Sequence, residues 1–224
     1  MKGTLWWLLG SLIAFDCAMI AVAVLRYPAM LRQPLGWEYV LEPFGMLVIL
    51  AAGSAYAVRT NRRFWGLVRR NGTFVGLATG ATEVINLAVE HEAPKFAGHP
   101  AVSIGFMLLV FTMWGAAAAL TVRQGGTLAA GVSTAVIGAC LCMLISVATG
   151  FLFELLLSPP DPVYVATWAE FKRSGWTDPR AFGVANTLDS GFTHLLIAPI
   201  VATVVGALGS LLVRLLPRRR ARRA

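Results

Sequence analysis

Six stretches of this chain, at about 5–25, 41–58, 72–90, 101–122, 127–157 and 185–215, are each apolar over a length that matches a bilayer. A helix needs roughly 20 such residues to cross the hydrocarbon. Inside hydrocarbon a backbone must satisfy all of its own hydrogen bonds, and runs of this length do so as helices. The expectation is therefore an all-α, polytopic membrane helix bundle of six transmembrane helices, occupying residues 1–216, with a short basic tail at 217–224. Composition agrees, at 57% hydrophobic and 13% charged residues with a mean hydropathy of +0.70. A soluble domain of this size is excluded.

The formal net charge of +8 raises the question of nucleic acid, and the distribution answers it. Basic residues gather between Arg59 and Arg70 and between Arg214 and Arg223, beside apolar spans, which is the pattern of membrane orientation. Six crossings put both ends on one side, and thirteen of the nineteen Lys and Arg then fall on that side. Both termini are predicted to be cytoplasmic, in a multi-pass protein of a bacterial-type inner membrane. Arg218, Arg219, Arg220, Arg222 and Arg223 of the tail are expected to rest on anionic lipid. Lys2 precedes about 21 mostly apolar residues, too many for a cleaved signal, so the first span is read as a retained helix. Cys17, Cys140 and Cys142 all lie in apolar segments and read as small packing residues.

Four acids fall inside spans: Asp16, Glu83, Glu154 and Asp189. No Lys or Arg lies deep in any span to pair with them, so each must be neutral, hydrated or bound to a cation. Asp16 stands alone among apolar neighbours and reads as a helix-packing group. The others have company. Thr79, Thr82, Glu83, Asn86 and Glu90 share one face of the third helix at spacings of three and four, and Asn186, Asp189, Ser190, Thr193 and His194 cover an arc of about 140° on the sixth. These positions predict a polar cavity opening outward between helices three, five and six, with Pro199 able to kink its wall. Its expected ligand set is Glu83, Asn86, Glu154, Asn186, Asp189, Thr193 and His194.

The outer loops carry Pro, Trp and Tyr and are expected to be ordered. "YVATWAEFKRSG", residues 164–175, predicts one short helix ending at Gly175. "EHEAPKFAGH" offers Glu90, His91, Glu92 and His99 as metal-capable side chains, but their spacing places no two His on one helix face, so a solvated loop is the better reading. "GLATGATE", residues 76–83, lies within a span and reads as close helix packing by small residues. No catalytic fingerprint appears: HExxH, Walker and Rossmann strings are absent, and "LDSG" at 188–191 lacks the first Gly of the Gly-x-Ser-Gly motif of rhomboid proteases.

The leading reading is a transporter or channel-like protein that binds a cation, proton or small polar solute at an acidic cavity. An accessory subunit of a larger complex, meeting its partners through the outer loops, comes second. A membrane enzyme using Asp189 and His194 on a lipid-linked substrate is third, weakened because five helical positions separate those side chains by about 140°. The predicted orientation has a direct check. Ser174→Cys, as the sole cysteine, should react with a membrane-impermeant thiol reagent in intact cells; labelling only after lysis would reverse the topology.

Overall fold

The computed structural model describes residues 4–60, 64–92, 99–157, 159 and 161–215; at 4, 54, 56–60, 90–92 and 99 the description is of the backbone alone. In chain order the helices are α1 (Thr4–Arg26), α2 (Glu38–Thr60), α3 (Trp65–Glu92), α4 (His99–Arg123), α5 (Leu128–Leu152), α6 (Pro162–Val165), α7 (Ala169–Ser174) and α8 (Pro179–Leu215). A 3-10 turn, Pro28–Arg32, follows α1, and α5 continues into a π-helical turn, Phe153–Leu157. Among the described residues there is no strand.

Among the described residues, five helices are long and apolar enough to cross a membrane: Leu5–Arg26, Trp65–Val89, Pro100–Arg123, Leu128–Leu157 and Pro179–Leu215. The remaining expected span, 41–58, falls in α2, where only the first part has described side chains. The short helix expected at 164–175 is two pieces. The Thr167 hydroxyl donates to the Tyr164 carbonyl at 2.7 Å, the chain turns extended at Trp168, and α7 restarts to end, as expected, on Gly175 with φ of +74°. Similarly, α8 starts at Pro179 and not near 185, because Asp178 accepts from the backbone N–H groups of Arg180 at 2.9 Å and Ala181 at 3.2 Å and so caps the helix earlier.

The bundle is built around α5. Half of its most apolar stretch is buried, against 22% to 28% for the other four spans. Its seam with α3 is a run of glycines at helical spacing, Gly72, Gly76 and Gly80. A β-carbon on Gly76 would stand 2.8 Å from Leu141 Cβ and 3.0 Å from the Gly138 carbonyl oxygen, and one on Gly80 would stand 2.6 Å from Ile145 Cδ1. Only backbone without side chains fits between these helices. The same device recurs across α8, where a β-carbon on Gly206 would lie 2.8 Å from Ala135 Cβ and one on Gly209 would collide with the Gly115 carbonyl.

Polar pairs reinforce this tight half. Asn71 donates to Thr121 at 2.9 Å and to Gln124 at 3.0 Å, Arg70 donates to Gln124 at 2.9 Å, and the Thr121 and Thr134 hydroxyls share a bond of 3.0 Å. Higher up, the Trp114 indole donates to Thr79 at 3.3 Å. Asp16 is fully buried on the packed stripe of α1, with neither carboxyl oxygen hydrogen-bonded among the described residues. The outward faces of α4 and α8 are plain hydrocarbon: Leu108, Ile200 and Leu208 are more than half exposed. Such surface is a liability in water and a solvent match in lipid.

Gly76→Leu should cost about 1–3 kcal/mol or more by wedging α3 from α5, read as a lower midpoint in detergent unfolding. Gly10, with nothing within 4 Å of a β-carbon, provides the control: Gly10→Leu should leave the midpoint where it was.

Candidate functional site

At the end of the bundle that carries α6 and α7, the connections are pinned to one another. The chain before α2 doubles back through Leu35, held at φ of +57°, and Gly36, where any β-carbon would collide with the Met30 carbonyl. The Trp176 indole donates to the Pro34 carbonyl at 3.1 Å, and Gln33 accepts from the Thr177 N–H at 3.1 Å. Phe182 is ringed edge-on by Trp168, Phe171 and Trp176, with centroids 5.4 to 6.5 Å away. Aromatic edges packed this way give a stiff cover at small entropic cost.

Beneath that cover the α3–α5 seam opens. Gly72, Gly76, Gly80 and Gly138 are pressed against neighbours, whereas Gly150, three turns above Gly138 on α5, has nothing within 4 Å of its β-carbon position. On α3 the small residues give way to Glu83, Asn86 and Leu87, too large for the gap. The result is a cavity of about 630 Å³. From α3 it takes Glu83 and Asn86; from α5 and its π-helical turn, Ser146, Gly150, Phe151, Phe153 and Glu154. Asp161, Tyr164 and Trp168 close it from the loop side, and α8 supplies Asn186, Thr187, Ser190 and His194. Among these lining residues there is no Lys or Arg.

The structure thus gathers Glu83, Asn86, Glu154, Asn186 and His194 of the expected set in one cavity. It does not bring in Asp189 or Thr193. Asn186, Ser190 and His194 recur every four residues and form one stripe of α8, while Asp189 and Thr193 lie on the adjacent face. On the α2 side, burial first, then the charges of Asp189, Glu42 and Glu38, push the Tyr39 phenol above the ordinary tyrosine range. On α3, Thr79 and Thr82 are occupied elsewhere, donating to the Val75 carbonyl at 2.8 Å and the Ala78 carbonyl at 3.0 Å. Pro199 does not line the cavity. The possible metal group of Glu90, His91, Glu92 and His99 lies outside the described side chains, and among the described residues no group of three or more His, Cys, Asp or Glu could hold a metal ion.

Two local features shape the chemistry. The His194 ring lies 2.7 Å from the Ser190 carbonyl through Nδ1. A carbonyl only accepts, so Nδ1 carries the hydrogen and Nε2 of the neutral ring keeps a lone pair for a ligand. The π-helical turn ends the helix before Pro159 and Pro160, which have no N–H to offer the last carbonyls, and the Leu155 carbonyl accepts from the Arg26 guanidinium at 2.9 Å. Glu154 is carried on that turn.

Sequence reasoning missed Asp161, Tyr164 and Trp168. A signal was present: Asp161 before Pro162 is a helix N-cap followed by Pro at the first position, and its side chain accepts from the Val163 N–H at 2.9 Å. The short helix that starts there carries Tyr164, and the break that follows it presents Trp168, whose ring packs edge-on against Tyr164 with centroids 5.8 Å apart.

Span-length apolar helices, packed through glycines and faced with hydrocarbon, define a membrane-embedded, multi-pass class of protein. No protein-family model, curated protein or solved structure matches this chain.

The Tyr39–Asp189 approach is open to titration. Tyr39 is neutral when protonated and folding favours that form, so its contribution to stability is full below the ordinary tyrosine range and is lost as pH rises through the raised value. Asp189→Asn should lower the pH at which Tyr39 ionises, followed by tyrosinate absorbance against a Tyr39→Phe reference. An unmoved titration would mean that the two side chains do not face each other.

Proposed function

We propose that this protein binds a cation, a proton or a small polar solute in the cavity between α3, α5 and α8 and passes it through the membrane as a transporter or channel-like protein. The observation that carries this reading is the wall itself: three carboxyls, from Glu83, Glu154 and Asp161, and no Lys or Arg. Low-dielectric walls concentrate the field of such groups and raise the local concentration of cations. Asn86, Asn186 and His194 would serve as neutral ligands, with Asp189 and Thr193 left outside the set. A volume of about 630 Å³ exceeds what a bare ion fills and suits a hydrated ion or a small solute. With six spans and cytoplasmic termini, the cavity opens on the outer face of the inner membrane.

A second reading is favoured by one feature, the exposure of Trp37, Val163 and Tyr164 at the loop end. Such a surface suits a partner, as in an accessory subunit of a membrane complex.

Reconstitution separates them. In liposomes carrying gradients of protons, sodium, potassium or tetramethylammonium, the wild type is expected to dissipate at least one gradient. Glu83→Gln and Glu154→Gln should each reduce that flux about tenfold or more, as expected when a charged ligand contact is lost, while leaving the unfolding midpoint close to wild type. If no gradient is dissipated, or if both amide variants carry wild-type flux, transport through this cavity is overturned. A stoichiometric partner copurifying from native membranes would then support the subunit reading.

A further inference from the structure

Beside the acidic cavity, and sharing Pro159 and Asp161 with it, lies a second hollow of about 440 Å³ that also takes in Arg26, Tyr27 and Arg180. Its character is opposite. Arg26 is the last residue of one span and Arg180 is the second residue of another, while Pro159 follows the end of a third, so the hollow lies where three apolar spans emerge together. That is the level of lipid headgroups.

Arginines at this position ordinarily find an acid, and these do not. Among the described residues the ion pair within 4.0 Å joins Arg173 to Glu170, and neither Arg26 nor Arg180 has an acidic partner. Asp161 is the one carboxylate on the wall; its Oδ1 caps α6 by accepting from the Val163 N–H, and against its single charge stand two guanidiniums. Arg26 is oriented by its bond to the Leu155 carbonyl, which uses Nη1 and leaves its other N–H donors available. A planar guanidinium held in this way matches the oxygens of a phosphate with two parallel hydrogen bonds. The rim adds a second indication. Leu25, next to Arg26 in the chain, is 81% exposed, and Leu157, two residues before Pro159, is 65% exposed.

We propose that this hollow binds the phosphate of a phospholipid headgroup between Arg26 and Arg180, with the acyl chains lying along Leu25 and Leu157. A free phosphate could satisfy the two guanidiniums but would leave those leucines uncovered.

The test uses the full chain, purified and delipidated, and follows its unfolding midpoint as ligand is added. Short-chain dioctanoyl phosphatidylglycerol should raise the midpoint saturably, and dioctanoylglycerol, which lacks the phosphate, should not. Arg180→Gln should weaken the phosphatidylglycerol response about tenfold or more; the Arg180 side chain makes no hydrogen bond among the described residues, so the ligand-free midpoint should not change. Arg173→Gln, at an exposed ion pair, should respond as wild type. The basic tail is present in every variant and cancels in the comparison. An equal response to inorganic phosphate would overturn the lipid assignment and leave an anion site. No response in the wild type, or an undiminished one in Arg180→Gln, would overturn the site.

Discussion

The closeness of two backbones, α3 against α5, governs this molecule. Lipid is as apolar as leucine, so helices in a bilayer gain nothing by hiding leucines from it and must associate through contact and hydrogen bonding. Gly72, Gly76 and Gly80 let α3 approach until its backbone meets Gly138 and Leu141. Alongside that seam, Asn71 of α3 donates to Thr121 of α4, and the Thr121 hydroxyl shares a bond with Thr134 of α5. The hydrogen bonds tie α4 to the pair that the glycines bring together.

The cavity is the other side of the same constraint. Helices that touch at one end and carry bulkier side chains at the other must splay, and the gap between Gly80 and Gly150 is where α3 and α5 part. Each end then has its own polar economy. In the tight half, amides and hydroxyls bond to one another across the helices. In the splayed half, carboxyls face a common space under an aromatic cover, and the arginines nearby are segregated into a separate hollow.

Much of this was legible before any coordinates. Glycines four apart in an apolar run have few other uses, and acids without basic partners inside spans mark a place where the ordinary rules of burial are suspended. The third and sixth expected spans both supply polar residues to the cavity wall. What could not be read was the choice between adjacent faces of one helix. Asn186 and Asp189 are equally polar, and which of the two faces α3 and α5 is set by the rotation of the whole helix about its axis, which the packing of distant segments decides. The loop contribution of Asp161, Tyr164 and Trp168 was missed for a related reason: a helix of four residues has too little periodicity to announce its direction. The early start of α8 turned on a single cap at Asp178, a contact worth about 1 kcal/mol and invisible to a search for apolar runs.

The π-helical turn at Phe153–Leu157 gives the cavity a mechanical property of its own. A π-turn accommodates one more residue than an α-turn over the same rise, so the strand of peptide bearing Glu154 is in effect an insertion tolerated within a continuous helix. Tightening that turn into α-geometry would rotate Glu154 by about 100° relative to the rest of α5, and in doing so would withdraw the Leu155 carbonyl from Arg26. The carboxyl of one hollow and the carbonyl that orients the guanidinium of the other are thus carried on adjacent residues of a single turn.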